Sequence, residues 1–81
     1  MTVVVKLFSV LRERAGAGEL ALDLPSQSTA GAAAAELVRR YPDLAGPMRS
    51  VAYAVNRAYC RADVVLAEGD ELALIPPVSG G

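Results

Sequence analysis

Apolar and polar residues alternate over the first eight positions of the chain. Val3, Val5 and Leu7 fall on one side of an extended backbone, and Thr2, Val4, Lys6 and Phe8 on the other. A period of two is what a β-strand produces, so a first strand is predicted over Thr2–Phe8. Val10–Ala15 reads as a short helical turn, after which Gly16 and Gly18 allow a tight return. The alternation resumes at Glu19–Leu24, with Leu20, Leu22 and Leu24 on one face and Glu19, Ala21 and Asp23 on the other. This predicts a half-buried strand, the hairpin partner of the first. Pro25 ends it, and Ser28 or Thr29 stands where a helix cap is needed. The period then changes. Ala30, Ala33, Ala34, Leu37, Val38 and Tyr41 recur at helical spacing and predict a helix over Ala30–Tyr41, stopped by Pro42.

Asp43–Ser50 is expected to be a loop. Val51–Val55 follows as a third strand, Asn56-Arg57 as a turn and Ala58–Cys60 as a short fourth strand. Asp63–Ala67 reads as a connector that buries Val64 and Leu66, and Glu68-Gly69-Asp70 as a turn into a last strand, Glu71–Ile75. The order is β-β-α-β-β-β. One helix covers one face of a sheet. The inward set is then Val3, Val5, Leu7, Leu20, Leu22, Leu24, Leu72 and Leu74, meeting Leu37 and Val38 of the helix. The opposite face should be polar, yet it carries Phe8 and Ile75, and Tyr59 joins them if the register allows. A contiguous apolar patch there would mark a contact surface.

With 81 residues the chain is expected to form one domain with a thin core. The net charge of −1, with both signs interspersed, points away from nucleic-acid and anionic-membrane partners. Arg12, Glu13 and Arg14 read as a solvated face. No apolar run approaches the roughly 20 residues that span a bilayer, and the first residues read as a strand, not a secretory leader. The single cysteine, Cys60, is expected to be an apolar filler and fits a reducing compartment. A cytoplasmic protein is expected. The chain has no histidine, so the usual neutral-pH base and commonest metal ligand are missing, and no metal site is expected. Nothing resembles a phosphate-binding loop, and Lys6 is the one lysine. No cofactor is expected on this chain, any ATP would be bound by another protein, and no catalysis is expected from the chain alone.

The last residues have a different character. Pro76 and Pro77 follow the final strand; each fixes φ and lacks an N–H, so neither continues a central strand. They should project the chain outward in a stiff extended form. Val78, Ser79, Gly80 and Gly81 then make a slim peptide suited to a narrow channel in a partner. From Pro76 to Gly81 an extended tail reaches roughly 20 Å. The domain is therefore divided into a body, residues 1–75, and a tail, residues 76–81.

The element order resembles the α+β β-grasp, or ubiquitin-like, fold: a mixed sheet of about five strands on one main helix. The run Gly69-Asp70-Glu71-Leu72-Ala73-Leu74-Ile75-Pro76-Pro77-Val78-Ser79-Gly80-Gly81 resembles the end of the small subunit of molybdopterin synthase. Phe8-Ser9-Val10-Leu11-Arg12-Glu13, Gly16 and Ala54-Val55-Asn56 are similar to the same family. The resemblance implies a sulfur carrier. A ubiquitin-activating-like adenylating enzyme would use ATP to activate the Gly81 carboxylate, and a sulfur donor protein would convert it to a thiocarboxylate. The tail would then enter the molybdopterin synthase large subunit, where its sulfur builds the dithiolene of a cyclic pterin phosphate precursor. Gly81 and Gly80 would carry the chemistry. Phe8, Tyr59 and Ile75, with Pro76, Pro77, Val78 and Ser79 of the tail, would bind the partner; Ile75 stands where the family commonly has an aromatic residue. The competing readings are a carrier for thiamine or tRNA thiolation, a ubiquitin-like modifier joined to lysines through Gly81, and an interaction module with an inert tail.

Overall fold

The computed structural model describes residues 1–77. The elements run β1 (Thr2–Leu7), α1 (Ser9–Ala15), β2 (Glu19–Asp23), α2 (Ala30–Arg40), a 3₁₀ turn (Pro42–Leu44), α3 (Ala45–Met48), β3 (Ala52–Val55), β4 (Ala58–Cys60) and β5 (Glu71–Ile75). The five strands form one sheet in the order β2-β1-β5-β3-β4. β5 is parallel to β1 and antiparallel to β3; the two outer pairs are antiparallel. Among the described residues no helix is long and apolar enough to cross a membrane.

Alternation decides which side chains enter the core. Val3, Val5 and Leu7 of β1, Leu22 of β2 and Leu72 and Leu74 of β5 are buried together with Ala30, Ala33, Ala34 and Leu37 of α2. Each large apolar side chain contributes roughly 1.5–3 kcal/mol on full burial. The expected Leu20 and Val38 are only partly buried against this cluster. The three buried alanines leave room for the helix to lie close to the sheet.

Three expectations need correction. The segment after α2 is not a loop: the 3₁₀ turn and α3 fill it and bury Leu44 and Met48. Gly46 and Pro47 disfavour a helix interior, but a proline in the first turn of a short helix removes an N–H that has no intrahelical partner. Val10–Ala15 is more than a turn; α1 is a seven-residue helix that buries Leu11 and ends at Gly16, whose φ of 77° makes a left-handed cap. Finally, Phe8 lies outside β1, and Tyr41 lies just outside α2 as its C-cap.

The start of α2 is held by the connector before β5. Thr29 Oγ1 accepts the Ala32 amide at 3.1 Å, the expected cap. The Ala30 amide donates to the Val64 carbonyl (2.9 Å) and the Gly31 amide to the Ala62 carbonyl (2.8 Å), while the Leu66 amide returns to Ser28 (2.8 Å). Orphan donors of the first helical turn are thus satisfied by backbone from residues 62–64. Gly31 has a reason here: a Cβ would stand 3.2 Å from both the Cβ and the carbonyl oxygen of Ala62.

The β3–β4 turn is tied to β5 as well. Asn56 and Arg57 both have positive φ, 50° and 70°, the backbone of a two-residue hairpin turn. Asn56 Oδ1 accepts the Glu71 amide (3.0 Å), and its Nδ2 donates to Asp70 (3.0 Å). Asp70 also accepts the Ala67 amide at 2.8 Å. These two hydrogen bonds, the Ala67 amide first, hold the Asp70 carboxyl below its ordinary range. On α2, hydrogen bonds from Arg39 and Arg40 hold Glu36 at about 2.

Asn56→Ala should lower stability by about 1–2 kcal/mol, through lost hydrogen bonds and a left-handed backbone that alanine disfavours. Asn56→Gly keeps the backbone freedom and should fall between, as measured by chemical denaturation. The two depressed carboxyls also set an acid response. The unfolded chain protonates first as pH falls, so their stabilisation is complete above the ordinary carboxylate range, about 4, and is lost as pH falls through the folded values. The melting temperature should therefore drop between about pH 5 and about pH 2. An Asp70→Asn, Glu36→Gln double variant should melt lower near neutrality and show a shallower drop; equal slopes would remove these groups as the cause.

Candidate functional site

The outer face of the sheet can be read row by row from the strand register. One row runs Glu19, Lys6, Ala73, Ala54, Tyr59 across all five strands. The next row places Ile75 opposite Ala52. Side chains paired in this way stand about 4.5–5.5 Å apart at Cβ. Two halves emerge. Toward β2, Lys6 Nζ lies 3.7 Å from Glu19 and 3.5 Å from Glu71, and Thr2 donates to Asp23 at 2.6 Å. Toward β4 the face is apolar: Ala73, Ala54, Ala52, Ile75 and Tyr59.

Phe8 completes the apolar half. Its backbone is extended, φ −128° and ψ 156°, so it keeps the outward phase of β1 although it belongs to no strand. Pairing of Leu7 with Leu74 places Phe8 next to Ile75. The chain then turns sharply: Ser9 has a φ of 50° and opens α1. Left-handed backbone at a residue other than glycine costs about 1–2 kcal/mol, and here it falls where the chain leaves the sheet beside Phe8. Phe8 is 41% exposed and Tyr59 76%.

The expected contact residues Phe8, Tyr59 and Ile75 therefore share one face, with Phe8 and Ile75 adjacent and Tyr59 two strands away. Pro76 is half-buried and Pro77 exposed where the chain departs from this face. Val78, Ser79, Gly80 and Gly81 lie outside the described residues. Cys60 is a free thiol, paired opposite Tyr53 on the inner side of the sheet, consistent with a filler. Among the described residues no group of acidic or cysteine side chains is arranged to hold a metal ion. What the sequence reading missed are the three alanines, Ala52, Ala54 and Ala73. Ala54 and Ala73 are buried yet lie outside the core cluster. Projecting the alternation of the third strand onto the fifth would have found them. They make a flat floor from which the larger apolar side chains rise. The arrangement is a partly exposed apolar face with Pro76 and Pro77 leaving its edge.

Comparison with known proteins agrees with this geometry. The ThiS family matches residues 5–81 of the chain. The molybdopterin synthase sulfur carrier subunit of Arabidopsis thaliana is 39% identical over 79 residues, covering 98% of this chain and 82% of that protein. The subunit of the same name from Drosophila ananassae is 40% identical over an alignment of 84 residues, covering 100% and 92%. Among solved structures, SAMP1 from Haloferax volcanii superposes with a TM-score of 0.90 at 32% identity over the whole of both chains. The mixed five-stranded sheet on one main helix is the β-grasp fold, and the chain belongs to the ThiS family.

Proposed function

We propose that this protein is the sulfur-carrier subunit of a molybdopterin synthase. The observation that carries the reading is the match, over essentially the full chain, to relatives named molybdopterin synthase sulfur carrier subunit. The geometry supports it: an exposed apolar face lies directly beside the point where a Pro-Pro-Val-Ser-Gly-Gly segment departs.

The chemistry follows from what a carboxylate lacks. The carboxylate that Gly81 would present is a poor electrophile. A ubiquitin-activating-like adenylating enzyme binds ATP; a carboxylate oxygen attacks the α-phosphorus, pyrophosphate leaves, and an acyl-adenylate forms. A sulfur donor protein then delivers sulfur to the carbonyl carbon and AMP departs, leaving a thiocarboxylate. In the synthase large subunit that sulfur attacks the cyclic pterin precursor, water cleaves the resulting thioester to return the Gly81 carboxylate and leave the sulfur on the precursor, and two such transfers build the dithiolene. Each step needs positioned groups and a water-excluding site. The partners supply these, and Gly80 and Gly81 fit because they add no side chain to a narrow channel. The apolar half of the outer face, Phe8, Ile75 and Tyr59, holds the partner while Pro76, Pro77, Val78 and Ser79 lead the terminus in.

Protein recovered from cofactor-producing cells should include a fraction with sulfur in place of one terminal oxygen, dependent on ATP and the adenylating enzyme. Intact mass spectrometry reads this directly. An ordinary carboxylate after complete reaction would sink the carrier reading, and an isopeptide-linked ladder on target proteins would replace it with the modifier reading.

Removing Gly81 should leave the melting temperature unchanged and abolish sulfur transfer. The terminus would fall about 3.3 Å short, where about 1 Å already costs on the order of a hundredfold. Gly81→Ala should fold and dock but adenylate more slowly. Full cofactor synthesis by the truncated protein would leave an inert-tail module as the better reading.

Phe8→Ser should weaken binding to the large subunit about tenfold or more with a stability loss below about 1 kcal/mol, since Phe8 is a surface residue. Unfolding would place Phe8 in the core instead.

A further inference from the structure

Charge is unevenly distributed along the strand axis. Asp23, Glu68, Asp70 and Glu71 gather where β1 and β5 begin: Asp23 pairs with Thr2, Glu68 accepts the Thr2 amide, and Glu71 pairs with Val4. The opposite end, where the tail departs, is arginine-bearing. The Arg12 stem lies over Gly18, where a Cβ would stand 2.9 Å from Arg12 Cδ; the Gly18 carbonyl accepts the Leu7 amide at 2.9 Å. Arg61 follows Cys60, and continuing the β3–β4 register sets it alongside Ala52, the partner of Ile75. Arg49 comes just ahead of β3, whose first residue is that same Ala52. Among the described residues, Lys6, Arg39 and Arg40 are ion-paired, whereas Arg12, Arg14, Arg49, Arg57 and Arg61 are not; Arg14 donates instead to the Asp43 carbonyl, and Arg57 lies in the β3–β4 turn at the far end. The acids nearest in the chain to Arg12 and Arg61, Glu13 and Asp63, form no ion pair with them.

We propose that Arg12, Arg49 and Arg61 form a cationic collar at the base of the tail that docks on an acidic protein rim around the channel the tail enters. This rests on the carrier reading and adds the charge of the partner's surface to it. The occupant is a protein and not a free phosphate, because the arginines are spread from the β2 side to the β4 side of a five-stranded sheet. At about 4.8 Å per strand that is on the order of 15–20 Å, too wide for one anion. A nucleic acid fits poorly, because the chain is net negative and its other end is acidic. The collar is continuous with the apolar patch at Phe8 and Ile75, so one partner surface would meet both. Guanidinium groups suit such a rim, since their planar forks bind carboxylates in a bidentate way. The acidic far end gives the molecule a dipole that turns the tail toward a negative mouth, which speeds encounter more than it tightens the complex.

The test is stopped-flow association with the molybdopterin synthase large subunit of the same organism. The wild-type association rate should fall about tenfold between about 0.02 and about 0.3 M salt. The Arg12→Glu, Arg49→Glu, Arg61→Glu triple variant should associate about 10- to 100-fold more slowly with a nearly unchanged dissociation rate. The milder triple Arg→Gln variant guards against misfolding and should lie between. Arg57→Glu, in the hairpin turn at the far end, should behave as wild type. A wild-type rate insensitive to salt, triple variants that match or exceed the wild-type rate, or an equal effect of Arg57→Glu would overturn the collar while leaving the carrier reading intact. Wild-type protein that fails to bind the large subunit at all would overturn both.

Discussion

β5 is paired on both sides, and that double pairing fixes the rest of the molecule. It lies parallel to β1 and antiparallel to β3, so neither its register nor its faces can slip without disturbing two ladders. A one-residue slip would turn Leu72 and Leu74 out of the core and Ala73 and Ile75 into it. The same alternation that commits the leucines to the core leaves Ile75 on the outer face, opposite Ala52. The strand also determines where residues beyond Ile75 begin, since Pro76 and Pro77 cannot extend the ladder. Folding and presentation of the tail are thus one event at β5, although the tail contributes nothing to the core cluster through Pro76 and Pro77.

A second clamp keeps α2 over that strand. The segment leading into β5 donates and accepts at the first turn of α2, through Ala62, Val64 and Leu66, and Asn56 and Asp70 lock the β3–β4 turn to the start of β5. Elements far apart in sequence therefore converge on the acidic end of the sheet. The opposite end, with Phe8, Ser9 and the chain exit, is held by fewer cross-connections. On the sulfur-carrier reading, a tied-down end and an accessible edge beside the chain exit suit a protein that works through its last residues.

The strands and α2 were legible because their periods are unambiguous: Val3, Val5 and Leu7, then Leu20, Leu22 and Leu24, and the alanine-leucine stripe of α2. The region after Pro42 was not, because Gly46 and Pro47 mask the i, i+4 pair Leu44 and Met48 that packs it. Nothing along the helical run signals the role of Gly31, since the carbonyl of Ala62 that needs the space is distant in sequence. At the site, phase alone placed Phe8 and Ile75 on the outer face; Tyr59 required the β3–β4 register. The alanine floor was harder to see, for a different reason. Ala52, Ala54 and Ala73 contribute by being small, and a small residue carries no hydropathy contrast with which to announce a surface.

That floor bears on how a carrier must bind. On the sulfur-carrier reading the same face and tail visit an adenylating enzyme and then a synthase, so each complex has to release. A broad, strongly apolar face would hold one partner too long and would also aggregate in a domain this small. Three larger apolar side chains set around alanines offer a small apolar patch, and small contact areas go with weak or transient interfaces. Such a surface confers orientation more than affinity. Productive geometry is then completed by the tail in its channel, which is where small displacements carry the largest penalty. The outer face can therefore remain modest, because exactness is needed only at the terminal glycines.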